Sequence, residues 1–276
     1  MRSLSRYIVP RGARRAVLQL GARLVPARLR LPLEYWKLRL QNALEEELFV
    51  LQQFVRVGST SIDVGANLGL YSYCLAKLSD RVEAFEPNGE CLSVLRAYQC
   101  PRIHTHCVAL SSSVGVVEMH VPIVGGIAFP GLASLRAPDG NSRRFRCPAA
   151  RLDDFGFHNV SFIKIDVEGH EGEVLVGAEQ TIAREHPVLL IEVEQRHHDR
   201  PIREVFEWLT ARDYAGHFLC GGRLRTLEEF SVKSDQLDIL AHRAKGKYVN
   251  NFIFIPAGRA AEIRKQMMAG SSGPRT

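Results

Sequence analysis

Hydrophobic and polar positions run along this chain in two rhythms, one of period two and one near 3.6, and their order predicts an α/β fold. Ile62 and Val64 flank Asp63 in a short apolar run that passes straight into Gly65-Ala-Asn-Leu-Gly69. Leu70-Tyr-Ser-Tyr-Cys-Leu-Ala76 follows with helical spacing, so a buried strand, a glycine turn and a helix start stand in immediate succession. Arg81 to Glu86 alternates as a second strand, with Glu83 on the face read as solvated, and ends at Glu86-Pro87-Asn88-Gly89. Ser93 to Tyr98 reads as helix, and Ile103 to Ala109 as a third strand ending near Leu110-Ser111. Val160 to Ile165 is a buried strand that runs out through Gly169 into a helix over Glu173 to Glu179. Pro187 to Glu194 and Asn251 to Ile255 read as two more strands. This alternation predicts a mostly parallel, doubly wound sheet.

Residues 112–150 interrupt the rhythm. Val114 to Val121 and Arg144 to Cys147 alternate like the two arms of a β-hairpin, joined by a Gly-, Pro- and Ser-rich stretch from Ile123 to Ser142. A loop of about twenty residues inside a compact domain reads as a lid.

Composition changes this picture little, whereas the distribution of charge adds to it. With 276 residues, 46% hydrophobic and 24% charged, the chain fits one α/β domain over residues 45–256, a basic extension over 1–44 and a C-terminal helix or tail over 257–276. No stretch reaches the roughly 18 apolar residues of a membrane-spanning helix. The six cysteines show no C-x-x-C spacing, which argues against a zinc module or a disulfide framework and for a reducing, cytoplasmic setting. Net charge is +6, yet residues 1–33 alone hold eight arginines and no acid, leaving the rest at −2. Val17, Leu18, Leu20, Leu24 and Val25 form one stripe of a short helix between Pro10 and Pro26. An arm of this kind suits peripheral contact with an anionic membrane, nucleic acid or an organellar presequence, against the plainer reading of a solvated extension packed on the domain.

The glycine loop discriminates between cofactors. A dinucleotide fingerprint requires G-x-G-x-x-G so that a pyrophosphate can sit on the helix N-terminus; here the loop is Gly65-x-Asn67-x-Gly69, preceded by the carboxylate of Asp63. That carboxylate would repel a pyrophosphate and suits a cationic ligand such as S-adenosylmethionine, with its sulfonium and ammonium. Glu86, one helix and one strand later, stands where a carboxylate accepts hydrogen bonds from a ribose diol. Strand periodicity puts Lys164 and Asp166 on one face and Asp166 at the ligand-binding rim, with Glu192 and Glu194 ending the next strand nearby.

Asp63-Val-Gly-Ala-Asn-Leu-Gly-Leu-Tyr-Ser72, Ala84-Phe-Glu-Pro87, Arg151-Leu-Asp-Asp154, Ile163-Lys-Ile-Asp-Val-Glu-Gly-His-Glu171, Val174-Leu175, Gly177-Ala178 and the Glu192 strand resemble the FkbM family of S-adenosylmethionine-dependent methyltransferases. The resemblance covers roughly residues 45–195. It implies a Rossmann-like methyltransferase fold and O-methylation of a hydroxyl on a saccharide or natural product, that is, a small-molecule or glycan acceptor. It also implies cofactor contact by Asp63, Gly65, Asn67, Gly69 and Glu86, with Ala66 and Pro87 in the same two loops, and an active-site rim around Asp166 and Glu168.

Methyl transfer to an alcohol requires a positioned nucleophile and removal of its proton. Asp166, Glu168, His170 and Glu192 are the candidates for that proton. Lys164 reads as the partner of Asp166 or Glu192, and His197-His-Asp199 as a solvated turn, with a place lining the acceptor pocket as the alternative. Oxygen ligands on Asp166, Glu168 and Glu192 would suit magnesium if they converged, although no metal is expected. Two other classes remain: a nicotinamide oxidoreductase, which lacks its third glycine here, and a non-catalytic membrane-docking protein. Asp166-Val-Glu-Gly stands where base methylases carry Asn/Asp-Pro-Pro-aromatic, which disfavours a nucleic-acid substrate.

Overall fold

The computed structural model describes residues 25–135 and 140–270. Most of the arginine arm, with the stripe from Val17 to Leu24, lies outside the described residues, as do positions 136–139 of the long loop and the last six of the tail. Helix α1 (Ala27–Leu40) leads into β1 (Thr60–Val64), α2 (Leu70–Leu75), β2 (Arg81–Phe85), α3 (Gly89–Ala97) and β3 (Ile103–His106). An insertion follows, comprising β4 (Ala109–Leu110), β5 (Gly115–Val124), β6 (Ile127–Ala128) and β7 (Ser142–Ala150). The chain then runs through β8 (Val160–Ile165), α4 (Glu171–Gly177), α5 (Glu179–Glu185), β9 (Val188–Glu192), α6 (Arg203–Thr210), β10 (Tyr214–Cys220), β11 (Arg223–Thr226), β12 (Asn251–Pro256) and α7 (Ala257–Gly270).

Eight of these strands form one sheet in the order β3-β2-β1-β8-β9-β12-β10-β11. The five from β3 to β9 are parallel, while β12 and β10 pair antiparallel at the other side. Every residue of β1, β8 and β12 is buried, as expected for strands covered on both faces. Strand order reverses between β1 and β8. In open α/β sheets such a reversal opens a crevice at the carboxyl ends of the strands, where ligands bind. Val64 lies level with Phe85 and Ile165, so the loops leaving β1, β2 and β8 emerge side by side.

The expected hairpin is present: β5 and β7 pair antiparallel from Gly115 with Ala149 to Pro122 with Ser142. The third strand is shorter than the sequence pattern predicts. It ends at His106, and Ala109–Leu110 leaves the main sheet to pair in parallel with β7. Ala109, Met119 and Cys147 are buried in a separate apolar cluster there, so packing against the hairpin outweighs continuation of the strand.

Glu83 corrects the reading of a solvated position. It is fully buried between β1 and β3, with His106 Nε2 2.6 Å from one carboxylate oxygen and Arg81 on the other. Burial pushes its pKa up, but these two partners outweigh it and leave the carboxyl below the usual range. The Arg151-Leu-Asp-Asp154 segment also acts structurally. Asp153 accepts the backbone N–H groups of Gln180 (3.0 Å) and Thr181 (2.8 Å) and the Thr181 hydroxyl, capping the start of α5 from a distant loop. Among the described residues no helix is long and apolar enough to cross a membrane.

Candidate active site

The turn after β1 is shaped by close approach of two backbones. Gly65 has φ +78°, and a Cβ there would lie 1.8 Å from the carbonyl oxygen of Asp166. No side chain can occupy that position, because β1 and β8 meet at the switch point. Gly69 enters α2 at φ +91°, with Leu95 where its Cβ would be. Between them Asn67, at φ +51°, donates its backbone N–H to Glu86 Oε2 (2.8 Å) and its side-chain amide to the carbonyl of Gly131 (2.9 Å). The glycine loop is thereby tied to the end of β2 and to the hairpin insertion.

Glu86 is buried at the cleft wall. Its other oxygen, Oε1, accepts the backbone N–H of Asn88 at 2.8 Å. Burial pushes its pKa up to about 7; the two backbone bonds oppose the rise, and the neighbouring carboxylates of Asp166 and Asp63 add to it. Each carboxylate oxygen has a second lone pair beyond its backbone bond. That acceptor set fits a ribose diol.

Asp63 takes a different place. It is buried behind the loop, where Ser72 Oγ donates to its Oδ2 at 2.6 Å and so ties α2 to β1. Burial raises its pKa, with Ser72 and Lys164 acting against the rise. Asp63, Ala66 and Gly69 do not line the cleft, whereas Gly65, Asn67, Glu86 and Pro87 do. The cleft is open at its mouth, and its empty space of about 600 Å³ includes open solvent. Val108, Leu110, Met119 and Leu135 give it an apolar wall, partly from the insertion.

Asp166, Glu168 and His170 line the same cleft from the end of β8; Glu192 sits behind them. Lys164 has a side chain only 1% exposed, with Nζ 3.6 Å from Asp166 Oδ2 and 3.9 Å from Glu192 Oε2. The pairing expected for Lys164 is therefore made with both acids. The ammonium also lies 5.2 Å from the centre of the Tyr71 ring, whose hydroxyl donates to Glu45. Burial raises Asp166 to about 6 against the pull of Lys164, and raises Glu192 well above the carboxylate range. Asn250 donates to Glu192 Oε1 at 2.6 Å.

His170 precedes α4, its Nε2 sharing a hydrogen bond with Ser111 Oγ (2.9 Å). Burial lowers its pKa, leaving the ring neutral at pH 7. Glu168 meets His197 Nε2 at 2.9 Å, and buried Glu171 meets His198 Nε2 at 2.9 Å. The segment read as a solvated turn is thus packed onto the β8 loop. Its histidines each face a carboxylate, and a Cβ on Gly169 would lie 2.6 Å from the His197 carbonyl oxygen. Two adjacent histidines in a chain with acids at 168 and 171 were the available signal, although nothing in sequence spacing joins the two segments. Glu168, Glu194 and His197 have ligand atoms within 4.8 Å of one another. Glu194, however, is already engaged by Arg196 (2.6 and 3.0 Å) and by the Tyr248 hydroxyl.

A doubly wound sheet with a glycine turn after its first strand, a ribose-type acceptor after its second and acids after β8 defines a nucleotide-cofactor α/β protein. The profile described as the Methyltransferase FkbM domain matches residues 63–215, more than half of the chain. The chain belongs to the FkbM methyltransferase family, and its cofactor is S-adenosylmethionine. No curated protein sequence matches it. Among solved structures it is similar to a methyltransferase FkbM from Methylobacillus flagellatus KT, at 18% identity and TM-score 0.46, covering 87% of this chain and 58% of that one. The chain therefore spans less than two thirds of that relative. Precorrin-6y C5,15-methyltransferase from Geobacter metallireducens GS-15 is similar at 12% identity and TM-score 0.40, over 74% of this chain and 83% of the other. A TehB-like methyltransferase from Corynebacterium glutamicum ATCC 13032 is similar at 11% and 0.41, over 84% and 99%.

Proposed function

We propose that this protein transfers a methyl group to a hydroxyl of a small-molecule or glycan acceptor. The reading rests on one juxtaposition: Glu86, a carboxylate with spare acceptor capacity, faces Asp166, Glu168 and His170 across a single cleft. S-adenosylmethionine supplies an activated methyl on a sulfonium, so the chain's own task is to orient two molecules and to take up a proton. Glu86 holds the ribose hydroxyls, with Pro87 beside it. Gly65 and Asn67 bring the backbone close, and Asp63, Ala66 and Gly69 hold that loop in shape from behind. The apolar wall of Val108, Leu110 and Met119 takes the base.

His170 is the group best suited to the acceptor proton. It lines the cleft, is neutral at pH 7, and has its ring oriented by Ser111. Glu168 and Asp166, two and four residues before it in the chain, line the same cleft and accept hydrogen bonds from neighbouring acceptor hydroxyls. Glu192, with Lys164, sets the charge on Asp166 from behind. General base assistance of this kind contributes roughly 10²- to 10⁴-fold.

Transfer of labelled methyl groups to hydroxylated acceptors, compared with amine acceptors, tests the reaction class. His170→Asn should lower kcat about 10²- to 10⁴-fold with unchanged affinity for S-adenosylhomocysteine. Methylation confined to amines, or an unaltered kcat in His170→Asn, would refute this assignment.

A further inference from the structure

Helix α1 has two apolar faces, and among the described residues only one of them packs against the domain. Leu31 is buried, and Tyr35 stacks toward Tyr73 of α2 at 5.2 Å between ring centres, with Lys77 4.6 Å from the same ring. The opposite face carries Leu29, Leu33, Trp36 and Leu40, which are 44%, 50%, 52% and 82% exposed. At about 100° per residue these four fall within an arc of roughly 60°. They form one stripe along a 14-residue helix roughly 21 Å long.

Charge lies along both edges of that stripe. The same helical geometry sets Arg28 and Arg39 on one side and Arg30 and Lys37 on the other, each about 70–110° from the stripe centre. Arg39 reaches over both Trp36 (5.7 Å) and Phe49 (5.6 Å), so exposed Phe49 extends the apolar surface. The acidic residue of the helix, Glu34, falls well off the stripe. Immediately before the helix, residues 1–24 add six arginines and no acid.

We infer that α1 seats this protein in the plane of an anionic membrane surface, with Leu29, Leu33, Trp36 and Leu40 in the outer acyl region and the flanking cations at lipid phosphates. Several features favour lipid over other occupants. A central apolar stripe with cations on both edges is the pattern of an interfacial helix, whose Arg and Lys stems lie along the apolar boundary while their heads reach the headgroups. A nucleic acid would leave the stripe in water, and a second copy of the same face would set its cations against each other. Trp at the boundary of apolar and charged zones suits the headgroup level. The inference is independent of the methyl acceptor.

Vesicle co-sedimentation of the full chain tests it, using phosphatidylglycerol/phosphatidylcholine vesicles against phosphatidylcholine alone. Partition onto the anionic vesicles should be at least tenfold stronger and should fall with added salt. The double variant Leu33→Glu/Trp36→Glu, with residues 1–24 intact, should reduce it at least tenfold while S-adenosylhomocysteine affinity stays unchanged as a check on folding. Brominated acyl chains should quench tryptophan emission of the wild type and not of Trp36→Phe. Equal partition of the double variant, or indifference to lipid charge, would overturn the inference. So would self-association in light scattering that the double variant abolishes, which would assign the stripe to a second copy.

Discussion

The backbone N–H of Asn67 donates to Glu86 Oε2 at 2.8 Å, so one carboxylate at the end of β2 fixes the turn after β1. The charge of Glu86 therefore has two consequences that can be separated by pH. A carboxyl raised from 4.5 to about 7 binds more protons folded than unfolded, so without ligand its contribution makes stability fall as pH rises across that window. The ionised form is the better acceptor for a ribose diol. Affinity for S-adenosylhomocysteine should accordingly rise between about pH 6 and about pH 8, and Glu86→Gln should flatten that rise and weaken binding roughly 10- to 100-fold. Calorimetric titration across the pH range checks both effects.

Lys164 neutralises two carboxylates in an almost fully buried site. Lys164→Met leaves Asp166 and Glu192 without that cation, and removing one member of a buried ion pair costs about 3–5 kcal/mol. Both acids would then hold protons to still higher pH. Because a folded carboxyl with a raised pKa loses stability as pH rises, the deficit should be smaller at about pH 5 than at about pH 8. Denaturant unfolding at the two pH values measures it.

Asp153 should be separable from the chemistry. Asp153→Ala removes three hydrogen bonds from the start of α5 and should lower stability by about 1–2 kcal/mol. S-adenosylhomocysteine affinity should not change, which thermal unfolding and titration together decide.

The amide of Asn67 reaches Gly131 of the insertion. If the insertion closes over the cofactor, Asn67→Gly keeps the positive φ but loses that bond, and ligand dissociation should quicken roughly 2- to 12-fold. Stopped-flow displacement of bound S-adenosylhomocysteine gives the rate directly.

What could be read from sequence follows the local density of pattern. Thr60 to Leu75 encoded strand, turn and helix within one window, and the left-handed glycines stand where that reading required them. The β5–β7 hairpin was likewise visible from its alternation. Glu83 reads as solvated because alternation alone does not tell a half-exposed strand from one covered on both faces. Its burial depends on β3 and on His106, which lies far along the chain. The contact of His197 and His198 with the β8 loop is not legible for a related reason: the glycine at 169 that lets them approach is separated from them by two helices and β9. Similarly, Asp63 signals a carboxylate at the cofactor strand, but only the hydroxyl of Ser72 reveals that it serves the loop from behind. The β10–β11 hairpin turns on Gly221-Gly222, a Gly-Gly pair of the kind that marks a two-residue hairpin turn.

Calorimetric titration with S-adenosylhomocysteine and with NAD asks whether the crevice between the ends of β1, β2 and β8 holds S-adenosylmethionine. Saturable one-to-one binding of S-adenosylhomocysteine to the wild type is expected, weakening in Glu86→Gln, with no binding of NAD. Binding of NAD alone, or of S-adenosylhomocysteine with equal affinity in Glu86→Gln, would contradict it.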